Sequence, residues 1–312
     1  MRVVVALGGN ALLERDERPD AVIQRRHVRQ AAAALAPLAA GHQLVLCHGN
    51  GPQVGVLALE SQADTSLSQP YPLDVLVAQT QGMIGYWLVQ ELGNAGVAQP
   101  AVCVMSQTVV DPSDPAFGHP TKFIGASYDK AAAQALAARL GWTIAADGPR
   151  WRRVVASPGP LGLVEIETVR SLADAGLLVV CGGGGGVPVI RSSAGGLTGV
   201  EAVVDKDLTA AELAITLKAD RLLVLTDVPA IIRGYGTPGA RPIQAIDADA
   251  LSAMAFPAGS MGPKVQACIR FVRASGQSAA VGALADAADI LAGRAGTTIS
   301  AAARAGQVEE VR

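Results

Sequence analysis

Lysine is scarce in this chain. Of 25 basic residues only five are Lys (Lys122, Lys130, Lys206, Lys218 and Lys264), and the rest are Arg. Where a positive charge alone suffices the chain uses Arg. A Lys kept among Gly, Pro and Asp therefore marks a task for a compact point charge, such as meeting a phosphoryl group. Charge as a whole is sparse, at 17 % of residues with a formal net of −2, which gives no bulk electrostatic basis for binding nucleic acid. Long apolar runs are missing too. None approaches the roughly 20 residues needed to span a bilayer, and the N-terminus enters a strand-like run, Val3 to Leu7, without a charged-then-apolar leader. No membrane association and a cytoplasmic location are expected. The four cysteines fall in apolar runs at spacings that match no zinc pattern, and they read as small buried hydrophobes. His27, His42 and His48 have no ligand-like spacing; two are expected at the surface, with His48 a candidate for a cleft wall. No metal-binding residue is assigned. The phosphate loop GxxxxGK[ST] and the dinucleotide fingerprint GxGxxG are both absent.

What is present points to an α/β protein. Half of the 312 residues are apolar, enough for a substantial core. Short apolar runs alternate with helical patterns, as in a mainly parallel sheet with helices on both faces. Strands are predicted at Val3 to Leu7, Gln43 to Cys47, Ala101 to Met105, Leu177 to Cys181, Arg221 to Leu225 and Gln277 to Gly282. Helices are predicted at about 20–40, 74–92, 128–140, 207–219 and 263–275, the fourth with Thr209 and Glu212 as a capping box. Gly82 and Gly85 suggest close helix packing, with a subunit contact as one possibility. From 111 to 160 the alternation breaks in a stretch with six prolines, Trp142, Trp151 and the cluster Arg150, Arg152 and Arg153. It is either a small projecting lobe with Lys122 at its root, able to act as a lid, or an ordinary insertion.

In an open α/β sheet, ligands bind beyond the carboxyl ends of the strands. Two such exits carry glycines and an Asn: Gly8, Gly9 and Asn10, then Gly49, Asn50 and Gly51. A third carries five consecutive glycines, Gly182 to Gly186, between apolar runs. Backbone without Cβ atoms can approach a phosphate and hold it on N–H groups, although a flexible loop is the blander alternative. Lys122, Lys206 and Lys264 sit in loops or at helix starts, whereas Lys130 and Lys218 lie in helix-like runs and are expected at the surface. Lys264 beside Pro263 places a cation at the positive end of a helix dipole, an arrangement that a bound anion would make favourable. Three cations converging on a glycine-lined cleft suit phosphoryl transfer. Tyr235 could pack on a purine or serve as a core or rim residue.

Together these segments carry a resemblance. Val3 to Asn10, His48 to Gly55, Gln81 to Tyr86, Pro120 to Gly125, Cys181 to Val189, Glu201 to Asp207 and Gly259 to Lys264 resemble the carbamate kinases of the amino-acid kinase family, in family order and across essentially the whole chain. The resemblance implies a three-layer αβα sandwich with a mainly parallel central sheet and a small protruding subdomain at about 111–160. It further implies an N-terminal lobe to about 205 for carbamate and phosphoryl binding, a C-terminal lobe from about 206 for the nucleotide, and a homodimer. The implied reaction is reversible phosphoryl transfer between ATP and carbamate, giving carbamoyl phosphate and ADP, with Mg²⁺ carried on the nucleotide. By the same resemblance Gly8, Gly9, Asn10, Gly49, Asn50, Gly51, Gly182, Gly183 and Gly184 would face the substrate and phosphoryl groups. Lys122, Lys206 and Lys264 would neutralise the moving phosphoryl, with Asp207 holding the lysines. Thr226, Asp227, Val228, Tyr235, Ser260 and Met261 would seat the nucleotide. Phe123 where relatives often have Pro, and Gly262 where Leu is common, are departures that bear on cleft shape. A kinase acting on a larger amino-acid carboxylate, and a non-catalytic sensor of nucleotide or carbamoyl phosphate, are the rival readings.

Overall fold

The structure is a computed structural model that describes residues 1–9, 12–14, 17–256 and 261–301, and the backbone of 309–310. Asn10, Gly259 and Ser260 lie outside the described residues. The chain begins with β1 (Arg2–Leu7), α1 (Ala21–Ala39), β2 (Gln43–His48), α2 (Gly51–Ala63), α3 (Leu73–Asn94) and β3 (Ala101–Cys103). An excursion follows: β4 (Gln107–Val110), β5 (Lys122–Tyr128), α4 (Lys130–Leu140), β6 (Thr143–Asp147), β7 (Arg150–Val155) and β8 (Pro160–Leu163). The chain then continues through α5 (Ile166–Asp174), β9 (Leu178–Val180), β10 (Val187–Arg191) and β11 (Leu197–Gly199). The last third holds α6 (Lys206–Thr216), β12 (Arg221–Thr226), β13 (Ile231–Arg233), β14 (Arg241–Asp247), α7 (Ala248–Ser252), α8 (Met261–Ser275), β15 (Ser278–Ala283), α9 (Ala287–Leu291), β16 (Thr297–Ser300) and β17 (Glu309–Glu310).

Among the described residues a ten-stranded sheet runs β13-β14-β16-β15-β12-β1-β2-β9-β3, with β17 beside β14. Its middle, from β15 to β3, is parallel throughout. Alternation along the strands explains the layers. Val3, Val5 and Leu7 of β1 face one core with α1, α3 and α9, while Val4 and Ala6 face another with α5, α6 and α8. Both faces of each central strand are apolar because both are covered. The result is the helix–sheet–helix sandwich expected from the sequence.

The excursion divides between two smaller sheets. β4 and β8 join β10 and β11, whereas β5, β7 and β6 form a three-stranded antiparallel sheet packed with α4. The arginine cluster braces that small sheet. Arg150 donates to Ser127 O (2.7 Å) and Arg152 to Gly125 O (2.8 Å), and Arg153 lies over the Trp142 ring. Its exposed α4 carries Lys130 over Trp151. Lys218, in the left-handed conformation just after α6, is likewise exposed, as expected.

Several local expectations are corrected. Residues 51–63 form α2, where the sequence suggested only a loop; a Pro and two glycines in Gly51 to Gly55 mask the helical pattern. The Thr209–Glu212 capping box is not used. The N-cap of α6 lies four residues earlier, at Asp205, which accepts from the backbone N–H of Asp207 (2.9 Å) and Leu208 (3.3 Å). Aspartate is a strong cap in its own right. Thr209 instead donates its hydroxyl to Gly185 O, at 2.9 Å. His27 is buried and paired with Glu17, so it is not the surface residue its spacing suggested. Gly85 is closely packed, since a side chain there would meet Cys103 Sγ, but Gly82 has no neighbour within 4 Å of a Cβ position.

Gly185 has φ 87°, and a Cβ would stand 2.2 Å from Val204 O. Gly185→Ala should therefore destabilise the fold by about 3 kcal/mol or more, whereas Gly82→Ala, exposed in α3, should stabilise it by about 0.5 to 1 kcal/mol. Urea unfolding of the two variants checks the contrast.

Candidate active site

Parallel register gathers the loops. Leu7 is level with His48 on one side and Leu225 on the other, so β1, β2 and β12 all end at one edge, with β9 beside β2. Gly8 N–H donates to Leu225 O (2.8 Å) and Gly49 N–H to Leu7 O (3.1 Å), which carries the ladder into the loops. Gly8 consequently abuts Thr226, and Gly49 abuts both Gly9 and the Lys206 side chain. These contacts leave no room for a side chain at Gly49, where a Cβ would stand 3.0 Å from Gly9 N.

At the same edge, the first turn of α6 presents Lys206 and Asp207. Asp207 is 2 % exposed, and its two oxygens are shared between two ammonium groups: Lys206 Nζ donates to Oδ1 at 2.9 Å and Lys264 Nζ to Oδ2 at 3.0 Å. Lys264 comes from the first turn of α8. The counter-charge that its position near a helix start calls for is thus supplied within the chain. Lys122, from the edge of the small sheet, pairs with the second carboxylate, Asp205. Gly51 stands next to the backbone of Phe123 and so joins the glycine loops to the strand bearing Lys122. Two of the predicted lysines therefore share one carboxylate, and the third reaches its neighbour two residues away.

The electrostatics of the cluster favour an anion. Burial pushes the Asp207 carboxyl up, but Lys206 and Lys264 outweigh it and hold the group well below the usual carboxylate range. Burial likewise disfavours charge on Lys206, and Asp207 and Asp205 reverse the balance so that its ammonium is held more tightly than usual. On Lys264 burial prevails, with Lys206 repelling, and its proton is held less tightly. Three ammoniums against two carboxylates leave one net positive charge in a largely buried cluster, which an incoming phosphate would offset.

The glycine run is packed into the fold. Gly182 to Gly186 are all buried. A Cβ at Gly183 would stand 2.3 Å from His48 Nε2, and one at Gly184 2.2 Å from Asn50 Nδ2. The run packs against the Gly49–Asn50 exit, so the missing side chains here serve close packing. Asn50 Nδ2 also donates to Thr80 Oγ1 (2.8 Å), which fixes the exit from the α3 side. His48, at 1 % exposed, has its Nδ1 3.0 Å from Gly49 O. Burial keeps it neutral, with a pKa lowered to about 4, and the nearby Lys206 charge acts in the same direction.

The nucleotide candidates are less tightly grouped. Thr226 ends β12 beside Gly8 and donates to Asp227 Oδ1 (3.0 Å); Asp227 is exposed and Val228 half-buried. Met261 opens α8 one turn before Lys264 and packs against the core. Tyr235 is 75 % exposed in the β13–β14 loop. Sequence reasoning missed Asp205 and the buried role of His48. The N-cap preference of Asp at the start of α6 was the available signal for the first; the second had none, because burial depends on the glycine run that packs over it.

The chain belongs to the amino acid kinase family, whose model matches residues 1–282, and it is a kinase. Curated relatives at 42 to 49 % identity are carbamate kinases. It is 49 % identical over 303 residues to the carbamate kinase of Rhizobium meliloti (strain 1021), covering 96 % of this chain and 93 % of that one. The carbamate kinase of Giardia lamblia bound to citric acid superposes with a TM-score of 0.90 at 41 % identity, over 96 % of this chain and 98 % of that one. The same Giardia enzyme bound to AMP-PNP gives 0.85 at 42 %, with the same coverage.

A pH effect on stability follows from His48. Its folded pKa, about 4, is below the ordinary histidine value of 6.5. As pH falls from 6.5 to 4 the unfolded chain takes up a proton that the native chain refuses, so stability is lost through that window, by about 3 kcal/mol in total. Urea unfolding from pH 7.5 to 4 should show a shallower decline in His48→Gln than in the parent protein.

Proposed function

We propose that the chain catalyses reversible phosphoryl transfer between ATP and carbamate, giving ADP and carbamoyl phosphate, and that in the cell it runs toward ATP. The observation that carries the proposal is the Lys206–Asp207–Lys264 cluster at the shared carboxyl edge of the sheet, in a chain whose relatives are carbamate kinases. Phosphoryl transfer through a loose transition state needs positioning and charge neutralisation more than a nucleophile or a strong base. Carbamate is itself an oxyanion, so no general base is required. In this reading Gly8, Gly9, Gly49, Asn50 and Gly51 bound the phosphoryl and carbamoyl space, with the buried glycine run supporting them from behind. Lys206 and Lys264 meet the charge that develops on the phosphoryl oxygens, Asp207 holds both in place, and Lys122 approaches from the small sheet. Thr226 to Val228, Met261 and the Tyr235 loop belong to the nucleotide side. The N-terminal part to about 205 thus serves the carbamoyl end and the remainder the nucleotide, with 111–160 as a lobe over the cleft.

The residues fit a divalent ion that arrives on the nucleotide. Both Asp207 oxygens are occupied by lysines, and the Asp205 oxygens by Lys122 and two backbone N–H groups. When bound, Mg²⁺ would neutralise phosphate charge alongside the lysines. No described helix is long and apolar enough to cross a membrane, which is compatible with a cytoplasmic enzyme. Exposed Tyr86 of α3 and Met105 after β3 are compatible with a homodimer.

The test is ATP formation from ADP and carbamoyl phosphate, followed by a panel of carbamate, glutamate and acetylglutamate as phosphoryl acceptors. Carbamate alone should serve; a preference for glutamate or acetylglutamate, or nucleotide binding without turnover, overturns the proposal. Lys206→Ala and Lys264→Ala should each lower kcat by about 100-fold or more while the fold persists. Lys206→Arg should also fail, because a guanidinium does not fit the ammonium's place.

A further inference from the structure

Asp205 is 5 % exposed, and its carboxylate is divided between two elements that are far apart in sequence. Oδ1 accepts the N–H of Asp207 (2.9 Å) and of Leu208 (3.3 Å), which fixes the first turn of α6. Oδ2 accepts Lys122 Nζ, from the first residue of β5. The same carboxylate thus ties the helix that presents Lys206 and Asp207 to the sheet that presents Lys122. Lys122 has few other restraints: its side chain is 35 % exposed, and it lies at the edge of a three-stranded sheet.

The surroundings of this contact are built for a defined approach. Backbone Val203 N–H donates to Ala156 O (3.0 Å), so the segment leading into Asp205 runs along the tail of β7, whose Val155 is level with Lys122. Ile124, Val155 and Val203 share one apolar cluster with α2 and α3 residues. The small sheet touches α2 where Gly55 meets Gly125, and a Cβ on Gly55 would stand 2.0 Å from Gly125 Cα. Lys122 is therefore delivered by a closely packed joint and held at its tip by Asp205.

We propose that Asp205 is a positioning residue that aligns Lys122 with the Lys206–Asp207–Lys264 cluster for phosphoryl transfer. The inference rests on the reading of Lys122 as a charge that meets the phosphoryl group. Burial raises the Asp205 carboxyl, and Lys122 together with Lys206 outweighs that effect and holds it below its usual range. A misplacement of the order of 1 Å in a group of this kind costs about 100-fold in rate.

The test is a double-mutant cycle in the ATP-forming assay, with Asp205→Asn, Lys122→Ala and the combination. Asn caps a helix about as well as Asp, so the thermal melting of Asp205→Asn should stay close to that of the parent protein, and Asp205→Ser provides a second capping variant. The proposal expects kcat to fall by about 10- to 100-fold in Asp205→Asn, with the KM for ADP little changed. In the Lys122→Ala background the same change should cost less than about twofold, because residues that act through one another are not additive. Parent-like kcat in Asp205→Asn beside an impaired Lys122→Ala overturns the positioning role alone, as does an equal further loss in the Lys122→Ala background. Parent-like kcat in Lys122→Ala overturns the role given to Lys122 and the proposal with it.

Discussion

A buried carboxylate bonded to two ammonium groups is the constraint on which the site depends. Asp207 is almost wholly removed from water, and a lone charge there would be costly. Lys206 on one oxygen and Lys264 on the other repay that cost and fix the distance between α6 and α8. The arrangement is not neutral, because Lys122 adds a further cation against only one more carboxylate. Three ammoniums against two carboxylates leave one net positive charge, which an added anion would offset.

The backbone around the cluster is shaped by proximity. Gly8, Gly9 and Gly49 meet at the ends of adjacent parallel strands, where a side chain at Gly8 would crowd Leu225 O and one at Gly49 would crowd the Gly9 main chain and Lys206. Behind them the buried glycine run lets His48 and Asn50 sit against main chain instead of side chains. His48 stays neutral because burial outweighs the carbonyl beside it and the Lys206 charge acts with burial, whereas Asp207 stays charged because two cations outweigh its burial.

Much of this was legible in the residues themselves. Strand periodicity located the central sheet, and the rule that ligands lie beyond the carboxyl ends of parallel strands identified the loops after β1 and β2. Lysine scarcity singled out Lys122, Lys206 and Lys264 from an arginine-rich background. What stayed hidden was tertiary. Local sequence does not record that His48 and Asn50 pack against the pentaglycine. α2 went unseen because Pro52 and two glycines lower its helical signal while packing against the small sheet supports it. Asp205 went unassigned because its partner lies 83 residues away, beyond any local pattern.

The decisive measurement is a crystal structure of the protein with ADP, magnesium and aluminium fluoride, in which the fluoride complex occupies the place of the moving phosphoryl group. The ammonium groups of Lys206 and Lys264 should lie within hydrogen-bonding distance of the fluoride complex while both remain bonded to Asp207. A fluoride complex seated away from this pair, with the Asp207 contacts undisturbed, would contradict it.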